Sequence, residues 1–277
     1  DVAIDLLKQI RKRAGIEAGA DGLYGLKVGS REEIRQAIST EHTESRIYVE
    51  GTRVYLSYEH MCEVKSAKRI VSMLLQNGFD EVDNLDSKID CAEKTLRQQL
   101  APSQRNAVKL CLSHPLSIMT GGPGSGKTRT LRFILDIYKA AFPANEILLA
   151  APTGRASRRM AEQTGMQAST LHSALGLVTD DDCPLNDHDL LSADLVVVDE
   201  FSMIDMRLAY ILLDRVKPGA QLIIVGDADQ LPSVGAGNVL REMIRSEKIP
   251  TAVLETVFRQ ASNSRIITNA YAINHND

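Results

Sequence analysis

Tryptophan is absent from the 277 residues, and aromatic residues make up only 4%. A surface that stacks base after base on aromatic rings is therefore not expected. Cysteine is sparse. Cys62, Cys91, Cys111 and Cys183 stand apart with no paired spacing. That pattern argues against a zinc site or a disulfide framework and fits a reducing cytoplasm. There is no run of roughly 18 apolar residues, so no membrane span is expected. The opening DVAIDLLKQIRKR lacks the basic-then-apolar order of a secretion signal. Basic residues are not in excess either: 32 Lys and Arg face 36 Asp and Glu, a formal net charge of −4. A basic coat of the histone type is excluded, while a local basic stripe remains open.

What is present is an ordinary globular composition, 44% hydrophobic and 25% charged, enough for one large domain or two smaller ones. The chain starts at Asp1 rather than Met, and it ends at Asp277 just after a helix-like stretch. It reads as a piece of a longer protein. Residues 1–80 form a first unit by pattern. A helical spacing over 2–14 precedes a glycine-rich stretch over 15–29, and Ser30 with Glu33 makes a capping box. Residues 46–57 alternate as a β-hairpin around Gly51, and residues 59–76 follow as a helix closed by Gly78. Two readings fit: a winged-helix module, or a helical spacer with one hairpin. The polar, acidic residues 79–89 mark the domain boundary, with a linker and helix over 81–97.

From Cys91 onward, nearly continuous apolar runs alternate with longer amphipathic stretches. The runs Leu116–Thr120, Ile147–Ala151, Leu195–Val198 and 222–225 suit strands buried on both faces. Helical segments lie between them, at 128–141 and 207–215 among others. The expected fold class is α/β: a parallel sheet flanked by helices over 98–277.

GGPGSGKT, residues 121–128, sits between one such strand and one such helix and fits the phosphate-loop pattern. Its glycines let backbone amides turn toward a phosphate, and the helix start adds partial positive charge. Lys127 can reach the outer phosphates, and the Thr128 hydroxyl suits a Mg²⁺ shell. The run ending in Asp199 and Glu200 delivers two carboxylates to a strand tip, where ligands collect in open α/β sheets. Asp199 can hold Mg²⁺; Glu200 can orient and deprotonate a water. Gln230, past the next strand, can touch a γ-phosphate without adding charge; a surface turn is the alternative. Arg259 can neutralise charge on a transferring phosphate, or be an exposed structural arginine.

Taken in order, Gln104, GGPGSGKT, APTGRASRRM, TLHSALG, VVVDEFSM, GDADQLPSVGAGN and VFRQ resemble the RecD-like branch of superfamily 1 DNA helicases, the exonuclease V alpha subunit family. The resemblance runs from about residue 98 to the end and is looser before that. It implies a RecA-like ATPase lobe that binds ATP with Mg²⁺. Gln104 would read the adenine edge. Gly122, Pro123, Gly124, Ser125, Gly126, Lys127, Thr128 and Arg129 would line the nucleotide. Asp199 and Thr128 would serve the metal, and Lys127, Glu200, Gln230 and Arg259 would serve hydrolysis. Thr153, Arg155, Thr170 and His172 would track single-stranded DNA, while Arg158 and Arg159 read as a solvated helix face. The residues about 177–191 would be either a strand-separating pin or a plain surface loop. Further implications are 5′-to-3′ movement, work at duplex junctions in repair and recombination, helicase–nuclease complex subunits as partners, and a cytoplasmic, nucleoid-associated location. No second RecA-like lobe fits within 277 residues. The piece alone is expected to bind nucleotide weakly, hydrolyse it very slowly and unwind nothing. A regulatory ATPase without a DNA track and a non-nuclease complex subunit are the competing readings.

Overall fold

The structure, a computed structural model, describes residues 47–50, 53–76, 78–177 and 189–254. The segment read as a capping box and helix before the hairpin lies outside these residues. So do most of the 177–191 insertion, Cys183 and Arg259. The chain divides into two compact units, Asp1–Ala67 and Lys68–Asp277.

In the first unit, β1 (Ile47–Glu50) and β2 (Arg53–Leu56) pair antiparallel with Ile47 opposite Leu56 and Val49 opposite Val54. The alternation of the sequence thus becomes the expected hairpin. Helix α1 (Ser57–Leu74) follows it directly. The division falls inside this helix, earlier than the polar segment that composition pointed to. In the second half of α1 the Arg69 guanidinium donates to the carbonyls of Leu213 (3.1 Å) and Val216 (2.5 Å), and Met73 is buried. Both carbonyls belong to a helix end, where they lack intrahelical partners.

The second unit contains α2 (Leu85–Leu96), α3 (Pro102–Leu112), β3 (Leu116–Thr120), α4 (Lys127–Ala141), β4 (Ile147–Ala151), α5 (Gly154–Thr164), β5 (Ser169–Thr170), α6 (Leu171–Ala174), β6 (Leu195–Val198), α7 (Met206–Arg215), β7 (Gln221–Gly226), α8 (Val239–Arg245) and β8 (Thr251–Val253). Strands β3 to β8 form one six-stranded sheet in the order β5-β4-β6-β7-β3-β8, and every pairing is parallel. The apolar runs therefore sit in the places their composition predicts. Helices α4 and α7 each begin one residue earlier than the sequence suggested.

Both faces of the sheet are covered. Met119, Leu149, Leu195, Val197, Ile223, Val225 and Ala252 pack into one cluster with Leu131, Ile134, Leu135 and Tyr138 of α4 and with Val108 and Leu112 of α3. The alternate residues Ile118, Val196, Val198, Leu222 and Ile224 are fully buried as well. That explains why the strands read as continuous apolar runs rather than as an alternation.

Local signals set the helix starts. Pro102 opens α3, where a missing amide hydrogen costs nothing. Thr153, Thr170 and Asp205 cap α5, α6 and α7, each accepting from an amide three residues on. The N-terminal edge of α3 is tied to α2 by Arg105, whose guanidinium meets Asp90 at 2.6 Å, Asp86 at 3.2 Å and Glu93 at 3.3 Å. Among the described residues, no helix is long and apolar enough to cross a membrane.

Ile223 lies on β7 between β3 and β6 and is fully buried. Ile223→Ala is expected to lower unfolding stability by about 3 kcal/mol, through lost burial plus the cavity left behind. Urea titration followed by circular dichroism measures this.

Candidate functional site

Because all six strands run the same way, their carboxyl ends share one edge of the sheet. Helix α4 carries the chain from β3 past two strand positions to β4, while β8 closes on the opposite side of β3. The direction of winding thus reverses at β3, and ligands of open α/β sheets sit at such a switch point.

Residues 121–126 leave β3 there. Gly124 (φ 77) and Gly126 (φ 88) both adopt the left-handed region, which only glycine enters without strain. A Cβ on Gly126 would also fall 2.3 Å from the Gln104 Nε2. Thr130 N–H makes the first helical bond of α4, to the Gly126 carbonyl at 2.9 Å. The amides of Lys127, Thr128 and Arg129 lie upstream of that bond and so stand outside the helix's own ladder. Ser125 is buried, and its hydroxyl donates to the Gly122 carbonyl at 2.8 Å. The Lys127 ammonium curls back over the loop, donating to the carbonyls of Gly121 and Gly122. Pro123 and Gly124 are exposed on its rim. The donor set fits a polyphosphate: amides at a helix start, an ammonium held above them, and the Thr128 hydroxyl beside it.

Gln104, the expected reader of an adenine edge, is 4% exposed. Its Oε1 accepts from Ala101 N–H at 3.1 Å, and its Nε2 donates to the Ser125 carbonyl at 3.1 Å. Oε1 and one Nε2 hydrogen are paired with backbone, so Gln104 braces the phosphate loop against α3, while its second Nε2 hydrogen has no backbone partner among the described residues. The exposed Arg129 donates to the Gln99 carbonyl in the segment before α3.

Two strand positions away, β6 ends in Asp199 and Glu200. Asp199 N–H still bonds the Ala150 carbonyl of β4 at 2.9 Å, and its Oδ1 accepts from Glu200 N–H at 2.8 Å. Glu200 itself is left-handed (φ 53), which turns the chain into the short 3₁₀ turn Phe201–Met203. Burial holds the Asp199 carboxyl above its usual range, with the Glu200 charge adding to the rise; the charges of Lys127 and Arg159 oppose it. The phosphate-loop lysine thus lies within electrostatic range of the β6 carboxylate. Arg158 stays local, donating to the Gly154 carbonyl at 3.2 Å.

Residues 227–238 extend from β7 between these two groups. The Thr120 hydroxyl, at the end of β3, accepts from Ala228 N–H at 3.3 Å, and the Ser202 hydroxyl lies 3.3 Å from Gln230 Oε1. Gly226 is closely packed: a Cβ there would approach the Leu240 side chain at 2.7 Å and the Phe201 and Ser202 amides at 3.3 Å. Gln230 is therefore joined to the carboxylate turn. The sequence reading missed Thr120 and Ser202. The available signal was slight: a lone hydroxyl at the tip of an apolar strand, and another two residues past the acid pair.

At the β4 and β5 tips, Thr153 and Thr170 spend their hydroxyls on capping their own helices. The two tips are adjacent, with Ala151 opposite Thr170 and the Thr170 methyl 3.9 Å from the Cβ position of Gly154. Arg155 is exposed on the first turn of α5, and His172 is half-buried in α6. These four residues thus gather on the same sheet edge as the phosphate loop, displaced toward β5.

A family model described as an AAA domain matches residues 104–236. Over 225 residues the chain is 36% identical to the ATP-dependent RecD2 DNA helicase of Deinococcus radiodurans, covering 81% of this chain and 30% of that protein. Over 164 residues it is 39% identical to the RecBCD enzyme subunit RecD of Mycolicibacterium smegmatis, covering 51% of this chain and 30% of that protein. Over most of its length the chain is similar to RecD-like DNA helicases. It spans under a third of the length of these two relatives. Among solved structures, the Pif1 helicase from Candida albicans aligns with a TM-score of 0.49 and 26% identity over 64% of this chain and 44% of that one. Nucleotide binding goes with the RecD-like similarity, and the phosphate loop supplies the donors for it.

The raised Asp199 pKa has a consequence for the RecD-like lobe. A carboxyl whose folded pKa exceeds its unfolded value favours folding below the unfolded value and loses that contribution as pH rises through the folded one. At neutral pH, Asp199 is thus a buried charge that costs stability. Asp199→Asn keeps the Oδ1 acceptor for Glu200 N–H. It is expected to raise the thermal midpoint of the nucleotide-free protein at pH 7, with the gain shrinking as pH falls into the carboxylate range. Differential scanning calorimetry across pH measures the difference.

Proposed function

We propose that this chain is the first RecA-like motor lobe of an ATP-dependent DNA helicase. In the full protein it would couple hydrolysis to movement along single-stranded DNA and to unwinding at duplex junctions, in repair and recombination. The observation that supports this best is the meeting of three elements on one sheet edge: the loop around Lys127, the Asp199–Glu200 turn, and the loop bearing Gln230. In this reading the amides of residues 122–129 and the Lys127 ammonium hold the phosphates of ATP. Thr128 and Asp199 hold Mg²⁺, which supplies charge neutralisation on the phosphate oxygens. Glu200 orients the attacking water and takes its proton. Gln230 senses the outer phosphate, and Arg259 adds a guanidinium.

Thr153, Arg155, Thr170 and His172 form the DNA track. Strand tips and helix starts present amides outward there, which suits a phosphate backbone better than base edges. The exposed Arg155 adds charge. Translocation needs a second RecA-like lobe elsewhere in the full protein, and 5′-to-3′ polarity is the direction we assign. The match to the RecD2 helicase covers 81% of the chain, against 51% to 65% for the RecBCD enzyme subunits. The longer reach favours a RecD2-type helicase over a RecBCD-type subunit.

Steady-state ATP turnover of the full-length protein, with and without single-stranded DNA, tests the motor. DNA is expected to stimulate turnover, and Lys127→Ala to reduce kcat by about 100-fold or more, as loss of a charge-stabilising donor does. Turnover indifferent to DNA would instead identify a regulatory ATPase. Binding of a fluorescent oligonucleotide at several salt concentrations tests the track. Arg155→Ala is expected to weaken binding across all sequences and to reduce the salt slope by about 1. An unchanged slope removes Arg155 from the track.

A further inference from the structure

We propose that Ser202 is a positioning residue for Gln230: its hydroxyl holds the glutamine amide against the Glu200 turn. This rests on the reading of the chain as a motor lobe and deepens it at one residue.

An exposed glutamine is a poor phosphate sensor if its amide rotates. The carbonyl end repels a phosphate oxygen, whereas the NH₂ end offers two hydrogens to it. A sensing glutamine therefore needs a partner that limits its rotation. Gln230 is exposed and sits in an irregular loop, so secondary structure does not fix its side chain. Ser202 Oγ, 3.3 Å from Gln230 Oε1, offers such a partner. Ser202 is 7% exposed, so its hydroxyl competes little with water for this partner. With the hydroxyl donating to Oε1, both Nε2 hydrogens are left for the open side of the site.

The backbone beneath this pair is fixed on each side. The turn carrying Ser202 is closed by Met203 N–H to the Glu200 carbonyl at 3.1 Å and Ile204 N–H to the Phe201 carbonyl at 3.0 Å. The loop carrying Gln230 is held by Gln230 N–H to the Asp227 carbonyl at 3.3 Å and by Asp229 N–H to Asp227 Oδ1 at 3.0 Å, with Asp227 buried. A second seam joins the two segments further along. Met206 N–H donates to the Ala236 carbonyl at 2.8 Å, and any Cβ on Gly235 would collide with Asp205. The glutamine loop and the Glu200 turn are therefore joined at two places. Ser202 is two residues past Glu200, so its contact links the segment that carries the water-activating acid to the one that carries the phosphate sensor.

The test is a double-mutant cycle in the full-length protein, with ATP as the varied substrate and single-stranded DNA saturating. Ser202→Ala is expected to lower kcat about fivefold, the scale of one hydrogen bond, with KM for ATP little changed. In a Gln230→Ala background, Ser202→Ala is expected to cost nothing more, because the residue it orients is already gone. Ser202→Thr, which restores a hydroxyl, is expected to recover most of the lost kcat. Thermal melts of each variant separate this from a folding defect. The proposal is overturned if Ser202→Ala leaves kcat unchanged. It is also overturned if its cost is equally large with and without Gln230, or if the loss appears in KM alone. Should the wild-type protein show no DNA-stimulated turnover, the motor reading itself falls and takes this proposal with it. The wild-type control therefore distinguishes the two failures.

Discussion

The parallel pairing of β3 with β7, and of β7 with β6, governs the whole arrangement. Its register sets Thr120 opposite Gly226 and Val198 opposite Ile224. Once those backbone bonds form, the phosphate loop, the carboxylate turn and the glutamine loop must emerge at neighbouring points of one edge. No side-chain interaction within the site is needed to bring them there. The apolar faces make the register expensive to alter, since slipping a strand by one residue would exchange its two buried faces. Helices on both faces then lock the sheet, and the site inherits its rigidity from that core.

On this frame the site is assembled from groups whose intrinsic preferences are overridden. Glu200 accepts a left-handed backbone, and Asp199 accepts burial that disfavours its charge. Such costs persist only where surrounding structure enforces them. The enforcement here is visible in the bond from Asp199 N–H to β4 and in the tight 3₁₀ turn after Glu200. Gly226 completes it by admitting the Phe201 and Ser202 amides to van der Waals distance of its backbone. The same packing brings Lys127 within electrostatic range of Asp199.

Gln104 shows a contact that a resemblance does not give. Its position upstream of the phosphate loop matches the RecD-like pattern. Its amide accepts from Ala101 N–H and donates to the Ser125 carbonyl. A glutamine three residues past a helix start readily turns back to the backbone there. The lobe thereby ties α3 to the loop that cradles phosphate, a link between base-side and phosphate-side elements that spacing alone does not reveal.

The sequence by itself determined the element types, the phosphate loop and the two acids. These are local matters: continuous apolar runs demand strands buried on both faces, and glycines before a Lys-Thr helix start leave amides open. It also showed the hairpin at residues 47–56, because alternation is a property of neighbours in the chain. Strand order was decided only in three dimensions, since placing β7 between β3 and β6 depends on how helices pack over the sheet. The bonds of Arg69 to the carbonyls of Leu213 and Val216 join partners far apart in sequence. Likewise, the contacts of Thr120 with Ala228 and of Ser202 with Gln230 join residues that no periodicity relates. They exist because a parallel sheet delivers distant segments to one edge, and a one-dimensional pattern carries no record of which tips become neighbours.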